Sequence, residues 1–142
     1  MSYEELLASG RIRPTEISRP EIDRAMKRAA RDLKLARKIM SEDWDWGFAV
    51  TYNAILQASR AYMFSQGYRP ASAEGHKNTF AFMHIALGKD CEDLITYFDR
   101  MRSKRNQALY DLAGIITETE ARNLFAKATD FVKLIREKLG TS

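Results

Sequence analysis

The chain of 142 residues contains few of the residues that mark secreted, membrane or loop-rich proteins, with one cysteine, three prolines and seven glycines. The lone Cys91 cannot form an internal disulfide, which indicates a reducing compartment, and we expect a cytoplasmic protein. No apolar run approaches the roughly 20 residues of a membrane-spanning helix, so we expect no membrane partner. The acidic start, residues 1–5, lacks the pattern of a signal peptide.

Motifs of common catalytic and metal sites are also missing. The sequence has no glycine-rich phosphate loop, no nucleophile elbow and no Cys or His pair at metal-binding spacing. Its two histidines, His76 and His84, lie eight positions apart, which is too wide for a local two-ligand site on one helix. We therefore expect neither a metal nor a cofactor.

Apolar residues recur every three or four positions through most of the chain, and no segment alternates as a strand does. Capping patterns beginning at Ser18 and Thr117 and glycines such as Gly67 and Gly140 mark helix ends. The helices are predicted over residues 20–40, 44–66, 73–87, 90–113 and 117–139, with a short turn over residues 3–9.

Amphipathic helices joined by short connectors predict an all-α fold, an antiparallel up-and-down four-helix bundle with additional short helical segments. The sequence shows neither a linker nor an internal repeat. We therefore expect a single domain over residues 1–142, with residues 1–18 forming a loosely attached N-terminal segment.

Positive charge is concentrated near the start of the chain. The net charge is +4, but residues 11–40 contain ten basic and four acidic residues. This segment includes the first long helix, whose polar side is either a solvated face or a surface that binds a polyanion. The sequence leaves both interpretations open.

The fourth helix contains one charged residue in an otherwise apolar face. A 4-3-4-3-4 spacing places six residues on that face: Leu94, Phe98, Met101, Arg105, Ala108 and Leu112. A guanidinium there is unfavourable unless it is paired, reaches water or lines a site. Arg105 is therefore the first candidate functional residue.

A second stripe on the same helix is polar. Arg102, Asn106 and Tyr110 stand four positions apart, beside the Arg105 face. They are candidates for a groove that binds a phosphate or a base. The structural alternative is a local network in which Asp99 pairs with Arg102.

The order of these segments resembles the HEPN superfamily, specifically its small stand-alone bacterial and archaeal members. The resemblance extends from about Pro20 to Leu139 and starts with the basic first helix. The other segments that support the resemblance are Tyr52–Met63, Gly67–Pro70, Ser72–Lys77 and Arg102–Asp111.

This resemblance implies a homodimer in which an Arg and a His, four to six residues apart, form a metal-independent ribonuclease centre across the interface. Arg105 and Asn106 match the Arg and the polar residue after it, but Tyr110 stands where the His is expected. Tyrosine, with a pKa of about 10, is a poor base at neutral pH. We therefore expect binding of RNA or a nucleotide at a dimer-interface groove around Arg105, in a toxin–antitoxin or defence context with a possible minimal nucleotidyltransferase partner.

Two alternatives remain at this point. The first is a ribonuclease in which Arg105 stabilises charge while His76 or Tyr110 transfers the proton. The second is an inactive structural or regulatory interaction module.

Single residues also have a structural alternative to a role in the site. His76 is then a partly buried packing residue, and Tyr52 is a core aromatic residue rather than one that stacks on bases. Arg60 is a candidate buried ion-pair partner.

Overall fold

The computed structural model describes residues 1–111 and 114–140 of the chain. The fold is helical, as predicted, and most predicted helix boundaries agree with the structure to within two residues. The elements are α1 (Tyr3–Ala8), β1 (Ile12–Pro14), α2 (Arg19–Ile39), α3 (Trp44–Ser65), β2 (Tyr68–Pro70), α4 (Gly75–Leu87), a 3₁₀ turn (Lys89–Cys91), α5 (Glu92–Asn106), a π-helical turn (Gln107–Asp111) and α6 (Glu118–Leu139).

The caps predicted at Ser18 and Thr117 are present, and α3 has a further one at Asp43. The side chains of Ser18, Asp43 and Thr117 accept backbone N–H bonds at the starts of α2, α3 and α6, and Thr117 forms a full capping box with Glu120. These bonds satisfy N–H groups that a helix start leaves without intrahelical partners. No helix in the described part of the chain has the length and apolar character needed to cross a membrane.

The long helices pack side by side around an apolar core. Helix α3 lies against α2, α4, α5 and α6, and its Phe48, Tyr52 and Ile55 are completely buried. Helices α2 and α6 run in opposite directions. The start of α2 meets the end of α6, where Arg19 donates a hydrogen bond to the carbonyl oxygen of Leu139. Because α3 is central, it contacts all four of these helices.

Two short strands were not predicted. Strand β1 pairs with β2 in antiparallel register, and Arg13 lies opposite Arg69. Residues 68–72 lie between two predicted helices, and three-residue strands are too short to show a period of two. Leu6 and Ile12 are completely buried, so the N-terminal segment contacts the core.

The fourth helix differs from its prediction. The α-helical part ends at Asn106 and continues as the π-helical turn, rather than as one α-helix to about residue 113. Residues 112 and 113, including Leu112 of the predicted face, lie outside the described residues. Beyond them, the carboxylate of Asp45 accepts hydrogen bonds from the backbone N–H groups of Gly114 and Ile116. These bonds attach the segment before α6 to the start of α3.

Candidate nucleotide-binding site

Arg105 lies half-buried near the end of α5, against an aromatic side chain of α3. Its Cζ is 5.6 Å from the centroid of the Tyr52 ring, a distance at which a cation is attracted to the ring. Its Nη1 donates to Oδ1 of Asn106 at 3.2 Å. Its Nε is buried and has no hydrogen-bond partner among the described residues. One donor of this half-buried guanidinium is therefore unused in the described part of the chain.

The same tyrosine connects Arg105 to a histidine of α4. The Oη of Tyr52 and the Nδ1 of His76 are hydrogen-bonded at 3.3 Å, and the two ring centroids are 5.7 Å apart. Tyr52 is 0% exposed, so its hydroxyl lies in the interior beside the half-buried imidazole. Helices α3, α4 and α5 thus each supply one side chain to this site.

Two further arginines complete the surroundings of His76. Arg60 of α3 also has a buried Nε without a partner in the described part of the chain. Arg102 of α5 donates from Nε to Oδ1 of Asp99 at 3.1 Å, which is the local pair that the sequence offered as an alternative. We call Arg60, Arg102 and Arg105 the arginine cluster. Of these three, only Arg102 forms an ion pair with a described carboxylate.

Burial and positive charge hold His76 neutral. Desolvation, followed by the charges of Arg105, Arg60 and Arg102, lowers the pKa of His76 from 6.5 to about 4. Burial raises the pKa of Tyr52 above its ordinary value of 10, although the arginines oppose that shift. At neutral pH the site therefore combines three fixed positive charges with an uncharged imidazole and an uncharged phenol.

The structure brings together some of the predicted site residues and separates others. Arg102, Arg105 and His76 all lie around Tyr52. Asn106 is exposed and contacts Arg105. Tyr110 lies on the π-helical turn and is 75% exposed. A π-helical turn holds more residues than an α-helical turn, so Tyr110 does not continue the predicted stripe.

Sequence reasoning did not assign Tyr52 and Arg60 to the site. Tyr52 reads as a core aromatic, and it is one, but its hydroxyl also binds His76. A signal was available for Arg60, because Asp45 and Arg60 are the only charged residues in the 22-residue helix α3. A single cation on a mostly buried helix is unfavourable unless it serves a site.

The outer face of α2 is a second basic surface. Seven basic side chains between residues 24 and 38 are exposed: Arg24, Lys27, Arg28, Arg31, Lys34, Arg37 and Lys38. The one acid in that stretch, Asp32, is buried, and it accepts hydrogen bonds from Arg31 and Asn53. The positive charge of this face is therefore largely uncompensated by α2 itself.

Comparison with known proteins agrees with the resemblance seen in the sequence. The model of the HEPN domain family matches residues 22–138, which is most of the chain and runs from the first turn of α2 to the last turn of α6. No curated protein matches the chain.

Proposed function

Because the chain belongs to the HEPN domain family, we propose that it binds RNA or a nucleotide through a phosphate group at the arginine cluster. The observation that carries this proposal is the pair of buried, unpartnered Nε atoms on Arg60 and Arg105. A half-buried guanidinium without a carboxylate is unfavourable unless another anion compensates its charge. A phosphate beside Arg60 and Arg105 would supply that negative charge, and Arg side chains suit the geometry of phosphate.

The surroundings of His76 suit an anionic ligand better than a cationic one, because they already keep the imidazole uncharged. Burial, and after it repulsion by three arginines, keeps a proton off the imidazole in the free protein. A bound phosphate would offset that repulsion and allow His76 to take up a proton. Binding would then add a further charged donor beside the ligand.

The wider parts of the proposal come from the family alone. We propose a homodimer whose interface groove contains Arg105, and a toxin–antitoxin or defence context with a minimal nucleotidyltransferase as a possible partner. Sedimentation velocity of the purified chain tests the dimer, and a single species with the mass of one chain would contradict it. The cytoplasmic location and the single domain stay predictions.

The binding proposal is tested with fluorescence anisotropy of a labelled single-stranded RNA of about ten nucleotides. We expect Arg105→Gln to weaken binding about 10- to 100-fold, because a hydrogen bond to a charged group contributes about 1.5–3 kcal/mol. The matched control is Arg100→Gln, which removes the same charge from an exposed position of the same helix. Equal effects of the two variants would contradict a site at Arg105.

A second candidate function is RNA cleavage without a metal. The contact between His76 and Tyr52, beside Arg105, favours it, because these groups are positioned to move a proton and to stabilise a charged phosphate. His76 would remove the proton of the 2′-hydroxyl as that oxygen attacks the phosphorus. The bond from phosphorus to the 5′-oxygen would then break, and His76 would return the proton to that oxygen, which leaves a 2′,3′-cyclic phosphate and a 5′-hydroxyl. The exposure of Tyr110 makes it the weaker candidate for this step.

Cleavage of labelled total RNA in the presence of EDTA distinguishes these functions. A ribonuclease cleaves RNA, and His76→Gln and Arg105→Ala each abolish the products. A binding protein shows affinity without cleavage. An inactive structural or regulatory module shows neither, and Arg105→Ala then leaves its RNA affinity unchanged.

A further inference from the structure

A pocket adjoins the arginine cluster at the start of α4. Its volume is about 430 Å³, within the range of small-molecule sites. Its lining includes Arg60, Phe64, Arg69, Gly75 and His76. Arg60 and His76 also surround Tyr52, so the pocket is a continuation of the proposed phosphate site.

The strand pairing leaves positive charge at this pocket without compensation. Arg69 lies directly opposite Arg13 in the antiparallel register, so both side chains emerge on one face of the two-stranded sheet. Like charges in such positions repel each other. Neither arginine forms an ion pair with a carboxylate among residues 1–111 and 114–140. An anion at Arg69 would reduce that repulsion.

The start of α4 adds to the positive potential. Its N-cap residue, Glu74, has a φ of 54° and provides no side-chain cap, and the first turn contains no acid. Gly75 has open space where a side chain would begin. Uncapped N–H groups and the positive end of the helix dipole favour an anion here.

Part of the pocket lining is apolar. Phe64 of α3 is half-buried and lines the pocket together with Pro70 and Ala71. A bare phosphate would not use this apolar surface, whereas a sugar and base would pack against it. Cations and an aromatic ring in one pocket are complementary to a nucleotide unit.

We infer that this pocket holds the neighbouring nucleotide of a single-stranded RNA whose first phosphate lies at Arg105, with the second phosphate at Arg69 and the base against Phe64. The inference rests on the proposed binding function and specifies its ligand as a strand rather than a free nucleotide. Arg69 is then a specificity residue, because it contacts only ligands that extend beyond the Arg105 site.

The test compares Arg69→Gln with Arg105→Gln and Arg100→Gln in the full chain, using the labelled RNA of about ten nucleotides and a series of salt concentrations. We expect Arg69→Gln to weaken RNA binding about tenfold and to reduce the salt slope by about 0.7, the change expected for one lost phosphate contact. ATP as a competitor should be affected by Arg105→Gln but not by Arg69→Gln. Arg69 is exposed, and its loss removes a like-charge pair, so the melting temperature should not fall.

The outcomes separate the inference from the function on which it rests. If Arg105→Gln weakens RNA binding while Arg69→Gln behaves like Arg100→Gln, the inference is overturned and the proposed function stands. If neither Arg105→Gln nor Arg69→Gln changes RNA affinity, both fail. If Arg69→Gln weakens ATP as much as RNA, the pocket takes the adjacent phosphates of one nucleotide, and the assignment to a strand is overturned.

Discussion

The low pKa of His76 predicts that this residue destabilises the fold in mild acid. In the folded chain the pKa is lowered from 6.5 to about 4, by burial and by the arginine cluster. The unfolded chain therefore takes up the proton first as the pH falls, and folding stability decreases from about pH 6.5 to about pH 4. Above that window His76 is neutral in both states and has no such effect.

The size of the effect follows from the shift. One pKa unit corresponds to about 1.4 kcal/mol, so a fall from 6.5 to about 4 gives an upper limit of roughly 3 kcal/mol. Because His76 is only half-buried, solvent screens part of this interaction. At about pH 5, where the folded state is still mostly neutral, we expect a loss of roughly 1 to 2 kcal/mol.

Urea unfolding at about pH 7.5 and about pH 5 measures this loss. Carboxylates also titrate in this interval, so the informative quantity is the difference between the wild-type chain and His76→Gln, which removes the titration. We expect His76→Gln to lose roughly 1 to 2 kcal/mol less stability than the wild type, and His84→Gln to behave like the wild type. Equal losses in the wild type and His76→Gln would refute the proposed surroundings of His76.

Two further predictions concern the ends of the bundle and its basic face. Asp45→Ala removes the acceptor of two hydrogen bonds from the backbone N–H groups of Gly114 and Ile116. Urea denaturation should show a free energy of unfolding that is lower by about 2–4 kcal/mol. The control, Asp130→Ala, removes an exposed carboxylate and should change it little, and equal effects of the two variants would contradict the role of Asp45. The double variant Arg28→Gln/Lys34→Gln should reduce the salt slope of RNA binding by about 0.7 for each lost phosphate contact. An unchanged slope would instead identify the outer face of α2 as a solvated surface.

The sequence predicted the helices well because their signals are local and redundant. Helix α2, for example, combines the Ser18 cap with an apolar stripe, and Ile22, Met26 and Ala29 of that stripe are buried. Strands β1 and β2 were missed because three-residue pairs have no periodic pattern to detect. The π-helical turn was missed because it changes the number of residues per turn without a change in composition.

The site was only partly predictable. Arg105 could be found because a charge on an apolar helical face is a local anomaly. Its contact with Tyr52 depends on how α5 packs on α3, which periodicity alone does not determine. The arginines around His76 could not be predicted for the same reason, because they come from other helices, α3 and α5. The missing histidine after Arg105 directed attention to Tyr110, which is exposed.

The arrangement around the start of α4 is difficult to explain by stability alone. Among the described residues, Arg60 and Arg105 have buried Nε donors without partners, Arg69 lies opposite Arg13, and His76 resists protonation. The positions of the arginines disfavour the free folded protein at neutral pH, through desolvation or through repulsion between like charges, whereas the low pKa of His76 does so only in acid. An anion bound among them would relieve these penalties together, because one negative charge offsets several positive ones at short range. The three unfavourable arginine positions, which a bound anion would compensate, are better explained by the proposed ligand site than by independent defects of packing.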